Sequence, residues 1–136
     1  MIIDPALTED DIRAVIDRFY AKVRQDPALG PVFARAIADD AWPAHIAVIH
    51  DFWSSVMLKT RRYHRNPFSI HRGVEGIRPE LFDRWLALFR ETCDEILAPE
   101  VAAAFFAKAV MIGESLKAGL FFHPAAARAG GSATPA

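Results

Sequence analysis

The sequence predicts an all-α fold in which four longer helices and a few short pieces enclose one core. Apolar residues recur at intervals of three and four along most of the chain, which is typical of amphipathic helices. No segment shows the alternation of a half-buried strand, and there is no internal repeat or glycine-rich phosphate loop. With 52% hydrophobic residues, ten Phe and three Trp, a chain of 136 residues can build one core and still line a pocket.

The first helix is predicted to begin after Thr8, whose side chain can cap the free backbone N–H groups. Asp10 and Asp11 suit the positive end of a helix, and Pro27 ends it. The segment from residue 26 to 37 then predicts a turn followed by a short helix. The apolar stripe of the first helix comprises Ile12, Val15, Ile16, Phe19, Tyr20 and Val23.

A second long helix is predicted from about residue 40 to residue 58. His45 lies on the same side of this helix as Ile49 and Phe52. At ~100° per residue, His50 points about 140° away from His45. The two histidines are therefore expected to face different surroundings.

The stretch from residue 59 to 78 is polar and predicts a loop with a short helical piece around residues 68–72. Further helices are predicted to start at Pro79 and Pro99, since proline suits a first helical turn. Gly119 is the expected end of the last helix. The buried side of the helix from Pro79 is predicted to comprise Phe82, Trp85, Leu86, Phe89, Cys93 and Ile96.

Charge and composition exclude several classes of protein. A formal net charge of −1 argues against a nucleic-acid-binding surface. Cys93 is the single cysteine, so neither an internal disulfide nor a cysteine-rich metal site is expected. We find no secretory signal and no apolar run long enough for a membrane helix, which predicts a cytoplasmic protein. Residues 1–123 are expected to form one domain, and residues 124–136 a disordered tail.

The five histidines do not form a zinc-protease or di-iron motif, and no G-x-S-x-G nucleophile motif is present. From composition and pattern alone, three classes of helical protein remain open. They are an interaction module, a metal protein and a cofactor pocket.

Four segments together resemble the truncated haemoglobins, and their third group most closely. In chain order they are FYAKVRQDPALGPVF, WPAHIAVIHDFW, YHRNPFSIH and LFDRWLALF. The resemblance covers residues from about 8 to about 122, and the order and spacing of all four segments agree. It implies a two-over-two helical sandwich around haem b.

The resemblance also implies roles for individual residues. His71 matches the iron ligand, where one ring nitrogen binds iron while the other donates to an orienting acceptor. Three polar side chains are implied on the open face of the iron: Tyr20, His45 and Trp85. Two further haem contacts are implied, Phe33 and Tyr63. We also predict Phe52 and Ile70 to line the cofactor pocket, although any helical core needs such residues.

Other assignments stay open at this point. Leu88 and Ile112 could line the pocket, although any helical core needs such residues. Arg62, His64 and Arg72 could pair with the haem propionates or simply form a solvated basic loop.

The function that the resemblance implies is binding of dioxygen and other small diatomic ligands. Hydrogen bonds from the Tyr20 hydroxyl and the Trp85 indole would slow oxygen release and so favour chemistry over transport. Whether the protein is an enzyme stays open, with conversion of nitric oxide to nitrate or peroxide chemistry as candidate reactions that need a reductase. Sensing ranks last, because it needs an output domain and we expect none in this chain. A monomer is expected, and the alternative from another class is a colourless, cofactor-free helical interaction module.

Overall fold

A computed structural model describes residues 7–64 and 76–121, and it shows five α-helices in these two stretches. A 3-10 turn at Asp39–Ala41 leads into the third helix. No strand occurs in the described parts of the chain, so the predicted all-α class is confirmed. The helices are α1 (Glu9–Gln25), α2 (Leu29–Ala36), α3 (Trp42–Leu58), α4 (Pro79–Ile96) and α5 (Pro99–Phe121).

Helix α1 begins as the sequence predicts. The Thr8 hydroxyl accepts a hydrogen bond from the backbone N–H of Asp11 at 3.1 Å. The Asp11 carboxylate in turn accepts from the backbone N–H of Thr8 at 3.1 Å, which completes a capping box. All six residues of the predicted apolar stripe are buried. Helix α1 therefore presents one continuous apolar face to the rest of the molecule.

The helices form two packed pairs. Helix α1 packs against α3, and α4 packs along α5, while α1 also contacts α2 and α4. The pairs meet at an aromatic core that comprises Phe19, Trp53, Phe89 and Phe105. The Phe89 ring centroid lies 5.0 Å from that of Phe19 and 5.2 Å from that of Trp53. These separations are those of favourable aromatic pairs, so the core joins both layers.

Two expectations about helix boundaries and faces are wrong. Helix α5 continues through Gly119 to Phe121, because a helical glycine costs only about 1 kcal/mol and the Phe121 ring packs against Phe82 at 6.2 Å. Ile96 is 37% exposed, since it is the last residue of α4 and the neighbouring Leu97 takes the buried position. The helical piece expected at residues 68–72 and the tail at 124–136 lie outside the described residues.

In the two described stretches, none of the helices combines the length and the apolar composition needed to cross a bilayer.

Candidate ligand pocket

A cavity of about 650 Å³ opens between the two helix pairs. Its volume falls within the range of roughly 300–1,000 Å³ that is common for small-molecule and cofactor sites. Seven residues named from the sequence line it: Tyr20, Phe33, His45, Phe52, Tyr63, Trp85 and Ile112. The helical spacing therefore places side chains from α1, α2, α3, α4 and α5, and from the turn after α3, around one space.

Tyr20, His45 and Trp85 bring polar atoms to a mostly apolar wall. Tyr20 is only 7% exposed, and its ring centroid lies 6.5 Å from that of His45. Burial raises the pKa of the Tyr20 hydroxyl to about 12, and a hydrogen-bond interaction with the Trp85 side chain acts in the opposite direction. The hydroxyl therefore stays protonated at neutral pH. Trp85 is half-buried and stacks on Phe89 at 5.4 Å, which links the cavity wall to the core.

Helix α2 carries Phe33 to the cavity, and a buried carboxylate positions this helix. Asp26 Oδ2 accepts hydrogen bonds from the backbone N–H groups of Ala28 and Leu29, both at 3.0 Å. Asp26 Oδ1 accepts from Arg84 Nε at 2.8 Å and pairs with Arg84 Nη2 at 2.6 Å. Burial alone would raise the pKa of Asp26, but the hydrogen bonds from Arg84 and from the backbone outweigh it and lower the pKa. Asp26 thus ties the start of α2 to α4.

The start of α2 also needs a residue without a side chain. A Cβ at Gly30 would lie 2.9 Å from the Arg24 carbonyl oxygen at the end of α1. Real Cβ atoms are rarely so close to a backbone atom, and this neighbour has little freedom to move. Glycine at this position therefore lets α2 approach α1 closely enough for the Phe33 ring to reach Tyr20, at 5.9 Å between centroids.

The turn after α3 brings Tyr63 back to the cavity. Lys59 and Arg61 both take left-handed backbone conformations, with φ of 60° and 64°. The backbone N–H of Tyr63 then donates to the Ser55 hydroxyl at 2.9 Å, which closes the turn. The Tyr63 ring meets that of Phe52 at 5.0 Å, edge to face. Two non-glycine residues with positive φ are thus the local feature that returns the chain to the pocket.

His50 and Arg62 belong to a polar cluster on another side of α3. Glu9 pairs with the Arg62 guanidinium, and its carboxylate accepts from the Ser54 hydroxyl at 2.9 Å. His50 Nε2 lies 3.4 Å from the Glu9 carboxylate, and Arg62 Nη1 lies 3.7 Å from Asp51. His50 therefore faces away from the cavity, as its angle from His45 predicts. Arg62 is engaged with two carboxylates.

The remaining residues named from the sequence do not line the cavity or cannot be placed. Leu88 is buried in the core, and His64 is exposed. Ile70, His71 and Arg72 lie in the stretch from residue 65 to 75, which is outside the described residues.

Sequence reasoning did not single out much of the cavity wall. Helical spacing could have pointed to several apolar positions, since Val48 follows His45 by three residues and Phe82 precedes Trp85 by three. Arg35 carried no such signal, because it is exposed and charged. The lining residues not named as site candidates are Leu29, Val32, Arg35, Ala36, Ile37, Val48, Ile49, Trp53, Ile77, Leu81, Phe82, Gly113 and Leu116.

Within residues 7–64 and 76–121, no three His, Cys, Asp or Glu residues come together as a candidate metal site. Cys93 is buried, and burial raises the pKa of its thiol to about 12. The thiol therefore stays protonated and behaves as a small apolar side chain.

The two packed helix pairs and the cavity between them together define a class of protein. Two packed helix pairs enclose an aromatic cavity with a tyrosine, a histidine and a tryptophan among its walls, which is the architecture of a small helical globin. The mostly apolar walls with a few polar side chains fit a large, flat, apolar cofactor such as haem.

Comparison with known proteins identifies the family. The Group 3 truncated hemoglobin ctb of Campylobacter jejuni is 32% identical over 108 residues, which cover 78% of this chain and 85% of that protein. The crystal structure of a group III truncated hemoglobin from Campylobacter jejuni superposes with a TM-score of 0.81 at 30% identity, covering 88% of this chain and 96% of that chain. No family model matches the sequence.

This chain belongs to the group III truncated haemoglobins. The resemblance seen in the sequence and the two-over-two truncated-globin fold are both confirmed. Membership in this family implies a haem cofactor and a small ligand. It therefore favours a haem protein over a cofactor-free interaction module.

Proposed function

We propose that this protein is a haem globin in which the cavity holds haem b, His71 ligates the iron, and a small diatomic ligand such as dioxygen binds on the side of Tyr20. The observation that carries the proposal is the convergence of Tyr20, His45 and Trp85 on one cavity with aromatic walls. Residues 1–123 would form the globin domain.

The side chains around the cavity have distinct tasks in this proposal. Bound haem would supply the iron that takes the ligand and changes oxidation state. The Tyr20 hydroxyl, protonated at neutral pH, and the Trp85 indole N–H donate hydrogen bonds to the ligand. Each such bond to a charged acceptor is worth about 1.5–3 kcal/mol. Phe33 and Phe52 exclude water from the apolar faces of the cofactor.

Two donors on one ligand favour a reaction over transport. A bond of about 1.5–3 kcal/mol that is made mainly in the bound state slows ligand release roughly 10- to 150-fold. A ligand held so long is available for reaction with nitric oxide, which yields nitrate, or for peroxide chemistry helped by the same donors. Repeated turnover then requires an electron from a reductase. This proposal includes a monomeric protein in the cytoplasm.

The absorption spectrum of the protein reconstituted with haem tests the proposal. We expect the wild type to take up one haem and to show the Soret band and ferrous spectrum of a histidine-ligated iron. We expect His71→Ala to lose or alter that spectrum, because the ligand to the iron is gone.

His64→Ala is the matched control, since His64 is an exposed histidine of the same connection and does not line the cavity. Its spectrum should equal that of the wild type. Failure of the wild type to bind haem stoichiometrically would overturn the haem assignment. An unchanged spectrum in His71→Ala would overturn the assignment of the iron ligand.

A further inference from the structure

A cation lines the otherwise uncharged cavity. Among the described lining residues, Arg35 is the one with a formal charge at neutral pH, apart from any charge on His45. Arg35 is the penultimate residue of α2 and is exposed, so it lies where the cavity meets solvent. No carboxylate of residues 7–64 or 76–121 forms an ion pair with it.

The guanidinium of Arg35 lies against the backbone of the turn before α4. Gly76 has a φ of +88°, which an L side chain rarely adopts. A Cβ at residue 76 would lie 2.6 Å from Arg35 Nη2, closer than such atoms approach. The backbone conformation of the turn favours glycine at this position, and the short distance shows that the Arg35 guanidinium lies against the turn. Arg35 thus lies between the end of α2 and the turn before α4.

Two other arginines near the cavity, Arg62 and Arg84, are already engaged with carboxylates. Arg62 pairs with Glu9 and Asp51, and Arg84 pairs with the buried Asp26. Neither Arg62 nor Arg84 lines the cavity. Arg35 combines a place in the cavity wall with five N–H donors that have no carboxylate partner in the described chain.

We propose that Arg35 binds a carboxylate of the cofactor, a haem propionate, at the mouth of the cavity. This inference rests on the proposed function, since it requires that haem occupies the cavity. Haem carries its two carboxylates on one edge of an apolar ring, so burying the ring in the apolar cavity leaves the carboxylates toward solvent. The planar guanidinium matches a carboxylate in a bidentate arrangement, which an ammonium group cannot reproduce.

The rate of haem loss to an excess of a high-affinity acceptor, apomyoglobin, measures this contact without reference to any reaction. The proteins are the full-length wild type, Arg35→Gln and Arg35→Lys, each loaded with haem b or with its dimethyl ester. We expect Arg35→Gln to lose haem b about 3- to 10-fold faster than the wild type, and Arg35→Lys to fall between them. The ratio should shrink in 1 M salt, because exposed charges are screened.

Arg90→Gln is the matched control, since Arg90 is an exposed arginine outside the cavity that pairs with Asp94 at 3.9 Å. It should lose both cofactors at the wild-type rate. The ester removes the carboxylate charge, so wild type and Arg35→Gln should lose the ester at equal rates.

The outcomes separate this inference from the function on which it rests. A wild type that does not retain haem overturns the proposed function. A wild type that retains haem, together with an Arg35→Gln variant that loses it at the same rate, overturns the role of Arg35 alone. Faster loss of haem and of ester by the same factor also overturns it, because the effect would not act through the carboxylate.

Discussion

Neighbouring residues of one helix serve two different regions. Phe19 is fully buried and meets the Phe89 ring at 5.0 Å, so it belongs to the close-packed aromatic core. Tyr20, the next residue, lines the cavity beside His45. The rings of the core contact one another, whereas the walls of the cavity surround a space of about 650 Å³.

Because of this difference, we expect substitutions in the core to affect mainly stability and substitutions in the cavity wall to affect mainly ligand binding. Removing a core side chain leaves a void that the surrounding rings cannot fill, which is costly. Removing a side chain of the cavity wall enlarges an existing space, which costs less in folding and more in binding. The same helices therefore tolerate different substitutions on their two faces.

The largest expected effect comes from the core. Phe89→Ala should lower the free energy of unfolding of the apoprotein by about 3–5 kcal/mol, since Phe89 is fully buried among four aromatic rings. Phe52→Ala, on the half-buried cavity wall, should cost less than about 2 kcal/mol. Urea unfolding followed by circular dichroism measures both. Equal costs for the two variants would contradict the separation of core and cavity.

The contact between Asp26 and Arg84 should rank second. Asp26→Ala removes the acceptor of two backbone N–H groups at the start of α2 and leaves Arg84 without its carboxylate, so it should destabilise the protein by about 2–4 kcal/mol. Asp94→Ala breaks an exposed aspartate–arginine pair on the same helix as Arg84 and should cost less than about 0.5 kcal/mol. A destabilisation by Asp26→Ala as small as that of Asp94→Ala would contradict the structural role of the buried pair.

The contribution of Asp26 to the free energy of unfolding should depend on pH. The pKa of Asp26 is lower in the folded protein than in the unfolded chain. The stabilisation by the Asp26 carboxylate is therefore fully present above its pKa in the unfolded chain, which is about 4. The contribution is lost as the pH falls through the lower folded pKa. The difference in stability between wild type and Asp26→Ala should thus be full at neutral pH and shrink in acid. A difference that is constant from neutral pH into acid would contradict this.

Local patterns in the sequence were enough to predict the class of fold, but together with the family resemblance they named only seven of the residues that line the cavity. The stripe of α1 and the capping residue Thr8 are local features, and both are confirmed. The pairing of Arg62 with Glu9 could not be predicted, because it joins residues 53 positions apart. The place of Arg35 in the cavity wall could not be predicted either, since it depends on how the turn at Gly76 packs against α2. The role of His71 remains a prediction from the family resemblance.

Dissociation of dioxygen from the ferrous, haem-loaded protein tests the central claim most directly. Tyr20→Phe and Trp85→Phe each remove a donor from the cavity while keeping an aromatic ring there. Each should accelerate dissociation about 10-fold or more, and the double variant should fall short of the product because the two side chains also interact with each other. Thr92→Val, which removes a buried hydroxyl of α4 outside the cavity, should leave the rate unchanged. Rates within about twofold of wild type in both Tyr20→Phe and Trp85→Phe would contradict the claim that these donors hold the ligand.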